Sequence, residues 1–186
     1  MLPEIVMDVT AAVHSPRASR VETAQLVLPG LTNNHGSIFG GMLMQWIDIA
    51  GAIAAARHAS GPVVTASMDR LHFLAPIRAG EVVIVQAQVN FAARTSMEVG
   101  VRVLIEDVRN HTRVQTTRAY LTFVAVDAEG HPRPVPPLVV ESSEDRRRFE
   151  AAVRRREARL AEREQEQARA EASSASYEDG GRDKDG

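Results

Sequence analysis

The sequence predicts an α+β fold in which an antiparallel β-sheet wraps around one long central helix. An almost continuous apolar segment covers residues 39–58 and is long enough for a single buried helix. Three longer segments of alternating or apolar character follow at residues 81–92, 96–108 and 113–127, with short breaks between them. Consecutive strands with short links pair as an antiparallel meander, and the apolar helix needs such a sheet to cover it.

The composition fits one ordinary domain with an appendage. The chain has 186 residues, 44% of them hydrophobic, and its 22 basic and 24 acidic residues give a net charge of −2. This balance creates no field that would attract nucleic acid, so no nucleic-acid partner is expected. Cysteine is absent, which excludes disulfides, thiolate metal ligands and a thiol nucleophile. No signal-peptide pattern opens the chain, and a cytoplasmic location is expected.

The N-terminal half contains an arm, one strand and the helix. Residues 1–20 keep no sustained period and are interpreted as an arm. Residues 21–29 alternate as a strand does and end at the turn pair Pro29-Gly30. The loop then leads into the apolar helix, which Ser60-Gly61-Pro62 ends. Gln45 and Asp48 interrupt the apolar segment, so the sequence does not predict a membrane span.

The part after the helix changes from strands to a charged segment. Two short strands are predicted at residues 63–68 and 71–77, before the meander. We expect residues 21–138 to form the domain and residues 139–170 a charged helix with Glu/Arg pairs at i,i+4 spacing. This helix is expected to be solvated and to touch the domain through Phe149, Val153 and Leu160. Residues 171–186 are polar and of low complexity, which predicts a disordered tail.

The start of the helix carries candidate chemistry. Gly40 and Gly41 follow a polar loop, and free N–H groups at a helix N-terminus can hold an anion or an oxyanion. A glycine pair is a weak signal, since it is as often a point of tight packing. The pattern lacks the GK[ST] of a phosphate-binding loop, and the absence of helices between the later strands excludes a Rossmann unit.

Asp48 is the residue that most needs an explanation, because an acid is rarely buried without a partner or a task. It lies roughly 10–12 Å along the helix from the N-terminal amides, which is too far for both to act on one carbonyl. Either the two features are unrelated, or two antiparallel copies of the helix bring Asp48 of one chain to the glycine turn of another. The structural alternative is a buried carboxylate bonded to backbone amides or to Gln45.

The histidines and the absent motifs limit the other chemistries. His58 is interpreted as a cation at the helix end, and His35 as a loop residue with no assigned role. No G-x-S-x-G nucleophile elbow occurs, and neither HExxH nor clustered carboxylates indicate a metal site. No metal and no cofactor is therefore expected.

Three segments together resemble the hotdog-fold acyl-CoA thioesterases, in particular the bacterial and cytosolic acyl-CoA hydrolases. They are TNNHGSIFGGMLMQWIDIAGAIAA, VVTASMDRLHFLAPIRAGEVV and TFVAVDAEGHPRPVP, and the likeness extends over residues 21–138. The pattern N-x-x-G-x-x-F-G-G, with an acid seven residues after its second glycine, is its most specific part. The resemblance implies the hotdog fold and the hydrolysis of an acyl-CoA thioester to a free acid and coenzyme A.

The resemblance also implies roles for individual residues. Asp48 corresponds to the acid that acts as general base or, in some accounts, as nucleophile. Asn33 would position water or substrate from across a homodimer, and the amides near Gly40 and Gly41 would polarise the carbonyl. The substrate-binding set implied by the resemblance is Phe39, Gly40, Arg94, Thr95 and Ser96. Arg70 and Arg78 are candidate contacts for the coenzyme A phosphates, with solvated arginines as the equal alternative.

Two further functions stay open at this stage. One is a hotdog module that binds acyl-CoA without cleaving it, as a sensor does, although the first 20 residues are too short for a DNA-binding helix-turn-helix. The other is a hydratase-like enzyme, whose Asp and His order is missing here. The sequence leaves open the acyl length, for which Met44, Trp46, Phe73 and Phe91 are candidate determinants, and whether dimers assemble into tetramers or hexamers.

Overall fold

A computed structural model describes residues 14–69 and 71–179, with all side chains in these ranges except those of residues 72 and 170–179. Its helices and strands follow one another in the predicted order. They are α1 (Pro16–Ser19), β1 (Val21–Leu26), a 3-10 turn (Pro29–Leu31), α2 (Gly40–Ala59), β2 (Val63–Met68), β3 (His72–Phe73), β4 (Val82–Ala92), β5 (Ser96–Asp107), β6 (Thr112–Ala125) and α3 (Ser143–Asp179).

The strands form one antiparallel sheet in the order β1-β4-β5-β6-β2, and the short β3 also pairs with β6. The central meander β4-β5-β6 is the one that the alternating segments predict. β2 lies at one edge of this sheet, and its pairing with β6 is shifted by an irregularity between Thr65 and Ser67. The predicted α+β architecture, a curled antiparallel sheet with one long helix packed against it, is confirmed.

Helix α2 fills the concave side of the sheet. Its buried face meets the inward-facing residues of β4, β5 and β6 in one continuous core. That face consists of Leu43, Ile47, Ala50, Gly51, Ala54, Ala55, His58 and Ala59. Gly51 permits the close approach to β6, because a Cβ at this position would lie 3.0 Å from the ring of Phe123. The helix is therefore held by small residues on one side of its surface.

The expectation that α2 is buried on all sides is wrong for the single chain. Met44, Ile49 and Ile53 are 41%, 48% and 39% exposed, on the side that faces away from the core. Apolar character all round a helix indicates burial all round. The chain alone buries one face only, so the other face is an apolar surface that lacks a cover among the described residues.

His58 does not have the predicted role of a helix-end cation. Its side chain is fully buried, and Nε2 donates to the carbonyl of Pro136 at 2.9 Å. Burial lowers the pKa of His58, with a smaller contribution from His14, whose ring packs edge-on at 5.8 Å. The proline-rich segment after β6 folds back over the end of α2 and excludes water from this imidazole, which is why it stays neutral.

Helix α3 packs on the opposite, convex face of the sheet. Ala152 is fully buried there, and the ring of Phe149 lies 5.2 Å from that of Phe91, whereas Leu160 stays 44% exposed. The helix also continues to Asp179, beyond the predicted start of the tail at residue 171, since no glycine interrupts it before residue 180.

The charged helix, expected to touch the domain only through apolar residues, also contacts it through arginines. Arg155 donates to both carboxylate oxygens of Glu98 at 2.6 and 3.1 Å, and Glu98 is only 2% exposed. The Arg155 guanidinium also lies 3.6 Å from the centre of the Tyr120 ring. Arg159 forms a salt bridge with Asp69 at 2.7 Å.

Residues 1–13 of the predicted arm lie outside the described residues. In the described part of the chain no helix is long and apolar enough to cross a membrane.

Candidate active site

Asp48 lies on the outward-facing side of α2, where it is half-buried rather than enclosed. Its Oδ1 accepts a hydrogen bond from the hydroxyl of Thr65, at 2.7 Å. The predicted alternative, a carboxylate bonded to backbone amides or to Gln45, is not found among the described contacts. Since one oxygen is fixed by Thr65, the remaining lone pairs of the carboxylate are available to a substrate or a water molecule.

Thr65 is a residue that the sequence analysis missed. It lies in β2 and is separated from Asp48 by 17 positions along the chain, so no local spacing connects the two. The signal that could have found it is the Thr65-Ala66-Ser67 stretch. In this stretch small and polar residues follow Val63 and Val64, in a strand that comes directly after the helix. A hydroxyl on this strand can reach only the side of α2 that the strand faces.

The start of α2 presents two unpaired backbone donors. Among the described residues, the N–H groups of Gly40 and Gly41 have no acceptor, and no side chain caps the helix. Orphan N–H groups at a helix N-terminus, together with the helix dipole, favour a negatively charged oxygen. Gly41 also has a packing role, because a Cβ there would lie 2.8 Å from the ring of Phe39, which is itself 63% exposed.

Asn33 shapes the loop before this helix. Its carboxamide oxygen accepts from the backbone N–H groups of His35 at 2.9 Å and Ser37 at 3.3 Å, and its Nδ2 donates to the Ser37 hydroxyl at 3.1 Å. These bonds close a turn in which Gly36 takes a φ of +72°, a conformation that favours glycine. Asn33 is exposed, and it shares no described hydrogen bond with Asp48 of its own chain.

An apolar cavity of about 310 Å³ opens beside the helix start. It reaches Gly40 and Leu43 on one side and the segment from Phe73 to Ile77 on the other. A cavity of this size, apolar and next to free amide donors, has the dimensions of a small-ligand pocket. Of the candidate determinants of acyl length, Phe73 lines it, while Phe91 packs under α3 on the other face of the sheet.

The remaining candidate residues lie away from Asp48. Arg94 and Thr95 lie in the β4–β5 turn, where their carbonyls accept from the N–H groups of Val135 and Ala125, and Ser96 is the first residue of β5. Ser96 of β5 and Val64 of β2 both pair with Val124 of β6, from opposite sides. Val64 precedes Thr65, and two strand spacings separate Ser96 from this part of β2 by about 10 Å.

The phosphate contacts expected of the two candidate arginines stay predictions. Arg78 forms a bridge with Ser37, and Arg70 lies outside the described residues. In the described ranges no group of three or more acidic or histidine side chains could hold a metal ion.

One chain therefore carries the candidate site in two separate parts. Thr65 and Asp48 form one part, and the Asn33 loop with Gly40 and Gly41 forms the other, about 10 Å away along α2. Neither part alone has both a base and a group to stabilise an oxyanion. The arrangement suits chemistry on a carbonyl only when both parts meet at one substrate.

Comparison with known proteins identifies the family. The family model of the thioesterase superfamily matches residues 35–110. An uncharacterized acyl-CoA thioester hydrolase of Bacillus subtilis is 40% identical over 156 residues, which cover 84% of this chain and 91% of that protein. An acyl-CoA hydrolase from Staphylococcus aureus, solved with butyryl coenzyme A and coenzyme A, superposes with a TM-score of 0.80 at 39% identity, covering 86% of this chain and 98% of that one.

Further solved structures agree with this assignment. Three structures of the S. aureus enzyme in which an aspartate, an asparagine or a threonine is replaced by alanine give TM-scores of 0.79, 0.81 and 0.79. A hexameric acyl-CoA thioesterase is 39% identical, with a TM-score of 0.77 over 80% of this chain and 96% of that one. The fold, the helix-start pattern and these relatives lead to one assignment: the chain belongs to the hotdog-fold acyl-CoA thioester hydrolases of the thioesterase superfamily.

Proposed function

We propose that the chain hydrolyses acyl-CoA thioesters with a water molecule activated by Asp48, at a site shared between two subunits. The observation that carries the proposal is the position of the Asp48 carboxylate. Thr65 fixes it on a helix face that the single chain leaves uncovered, about 10 Å from the amides of Gly40 and Gly41. A second copy of α2, running antiparallel, would bring those amides to the carboxylate.

The residues divide the reaction between them. Asp48 takes a proton from water, and the water oxygen attacks the thioester carbonyl carbon. The carbonyl oxygen becomes negatively charged and is held by the N–H groups of Gly40 and Gly41 of the other subunit. As the C–S bond breaks, the coenzyme A sulfur leaves and takes the proton from Asp48, which gives a free acid and coenzyme A. Thr65 acts as a positioning residue, and Asn33 orients the water from the loop.

The spacing of three residues supports these roles. In the S. aureus variants, the replaced asparagine precedes the replaced aspartate by 15 positions, and the replaced threonine follows the aspartate by 17. Asn33, Asp48 and Thr65 have the same spacings here. The chosen substitutions in that enzyme thus correspond in type and spacing to the residues that the geometry selects in this chain.

Two surface features support the shared site. Met44, Ile49 and Ile53 leave an apolar stripe beside Asp48, and a stripe of this kind favours contact with another protein surface. The neighbouring strand β2 is an edge of the sheet, whose free backbone groups can pair with a second chain. Assembly of such dimers into a hexamer is supported by the hexameric relatives. A cytoplasmic location stays a prediction.

The apolar cavity at the helix start supports a place for the acyl chain. It borders Gly40, so a carbonyl held by the amides would direct its alkyl group toward Phe73 and Ile77. The predicted contacts from Arg94, Thr95 and Ser96 would then belong to the coenzyme side of the substrate.

The direct test is release of free coenzyme A thiol from an acyl-CoA by wild-type protein and by Asp48→Asn. We expect the variant to lose at least about a thousandfold in kcat while keeping its unfolding temperature, since the substitution keeps size and removes the base. Retained turnover in a folded Asp48→Asn protein would overturn the mechanism. Tight binding of acyl-CoA by the wild type without any thiol release would instead support the sensor alternative.

A further inference from the structure

A second cavity, of about 200 Å³, lies on the convex face of the sheet, under the first turns of α3. The sheet separates it from α2 and Asp48, because the strand side chains that line it, such as Gln86, Gln88 and Arg102, alternate with core residues. Six arginines and two glutamates line it, so its formal charge is +4: Arg20, Arg102, Arg118, Arg147, Arg148, Arg155, Glu22 and Glu144. In a chain of net charge −2, this is an unusual concentration of positive charge.

Both glutamates of this cavity already form salt bridges. Glu144 pairs with Arg148 and Arg147 along α3, and Glu22 pairs with Arg113 outside the cavity. Arg155 is likewise occupied by the buried Glu98.

Three arginines in the cavity have only neutral partners. Arg20, Arg102 and Arg118 form no salt bridge with any described residue, and they contact the side-chain oxygens of Gln88, Gln86 and Gln115. Three guanidinium groups thus share one cavity, and none of them is within salt-bridge distance of a carboxylate among the described residues.

Arg102 is at the centre of this group. Partial desolvation lowers the pKa of Arg102, and the charge of Arg148 lowers it further; Glu144 opposes this shift, and Arg118 and Arg20 add smaller lowering effects. Like charges held this close repel one another, and an anion between them would relieve the repulsion.

A buried amide provides a separate sign of a missing ligand. Gln88 is only 6% exposed and lines the cavity. Its oxygen accepts from Arg20 at 3.2 Å, but its Nε2 has no hydrogen-bond partner in the described structure. Buried donors are nearly always satisfied, so this N–H₂ group is free to donate to an oxygen that enters the cavity.

We propose that this cavity binds a phosphate group, held by Arg102, Arg118 and Arg20 with the amide of Gln88 as a further donor. Arginine binds phosphate oxygens through two parallel hydrogen bonds, which matches several guanidinium groups around one small anion. The volume is below the roughly 300 Å³ of a pocket for a drug-sized ligand. It suits orthophosphate, pyrophosphate or the phosphate end of a larger molecule that extends into solvent.

The test is calorimetric titration of the full chain with inorganic pyrophosphate, in a phosphate-free buffer of low ionic strength. We expect saturable binding that Arg102→Gln and Arg118→Gln each weaken at least about tenfold. Arg109→Gln, an exposed arginine in the β5–β6 turn, removes the same charge elsewhere and should leave the affinity unchanged. Arg102 and Arg118 are both exposed, so we expect both variants to fold, and each tests the site independently.

The absence of saturable binding would overturn the proposal, and so would an equal loss in Arg109→Gln, which would show unspecific charge attraction. Dissociation of the oligomer by Arg102→Gln without any binding of pyrophosphate would also overturn it, because the arginines would then serve a subunit contact.

The source of the phosphate group is found by repeating the titration with saturating coenzyme A. An unchanged affinity for pyrophosphate identifies a separate phosphate ligand, and a lost affinity identifies the phosphates of coenzyme A itself. Both results support a phosphate site. The readout is binding, so a failure of the proposed hydrolysis would not affect it.

Discussion

In the proposed mechanism, one neighbouring residue fixes how Asp48 meets its substrate. The Thr65 hydroxyl holds one carboxylate oxygen at 2.7 Å, which restricts the rotation of the side chain on an otherwise open helix face. A positioning contact of this kind matters because a base must lie within hydrogen-bonding reach of the proton it takes.

Thr65→Val is expected to lower kcat by roughly tenfold with little change in KM, since valine keeps the shape and loses the hydrogen bond. Thr65→Ser should restore most of the rate, because serine supplies the same hydroxyl. Thiol release measured over a range of acyl-CoA concentrations separates the two constants. Equal rates for the valine and serine variants would show that the hydroxyl has no part in positioning Asp48.

His58 makes stability depend on pH. Burial lowers its pKa in the folded chain below the ordinary value of about 6.5, so the unfolded chain binds this proton more readily. The contribution of the neutral His58 to the free energy of unfolding is therefore fully present above pH 6.5. It is lost as the pH falls from 6.5 toward the lowered pKa of the folded chain.

Thermal unfolding at pH 7.5 and 5.5 should show a lower unfolding temperature at pH 5.5. His58→Gln, which can still donate to Pro136, should show a smaller difference. The same pH dependence in both proteins would contradict this account of His58.

At the residue scale, the sequence could reveal Asp48 but could not reveal its partner. An acid in an apolar helix is visible in the sequence, and so is the glycine pair before it. The contact with Thr65 depends on how β2 pairs with β6, including the irregularity after Thr65, which no local pattern encodes. His58 was misjudged for a similar reason, because the segment that buries it comes from Pro136, far along the chain.

Among the elements, the two helices differ most in how well sequence patterns described them. The limits of α2 differ by one residue at each end from the prediction, since an apolar segment between a glycine pair and Ser60-Gly61-Pro62 is well marked. The contacts of α3 were missed because an arginine that pairs with a buried acid has the same local sequence as an arginine in solvent. Only the tertiary contact with Glu98 distinguishes Arg155 from its neighbours.

Arg155→Ala should lower the free energy of unfolding by about 2 kcal/mol, because it removes both short hydrogen bonds to the buried Glu98 carboxylate and leaves only the longer contact from Arg159. Arg154→Ala is the matched control: it removes an exposed arginine from the same helix, and its effect should stay within about 0.5 kcal/mol. Denaturant unfolding of both variants measures the difference. Similar values for the two would mean that α3 is held by its apolar contacts alone.

On the scale of the whole molecule, the account depends on a second chain. The exposed stripe of α2, the free edge of β2 and the separation of Asp48 from the helix-start amides are three independent features, and each is explained by the same antiparallel pairing. In the sequence, the rise of the helix left this pairing as one of two alternatives, and the resemblance to the thioesterases favoured it.

The most direct test is complementation between two inactive variants, Asn33→Ala and Asp48→Ala, produced separately and then allowed to exchange subunits. If each site takes Asp48 from one chain and the Asn33 loop from the other, a mixed dimer has one intact site and one doubly altered site. Random pairing of equal amounts should then restore about one quarter of the wild-type rate of thiol release. If both residues of a site come from one chain, the mixture will stay as inactive as its components, and the shared site is wrong.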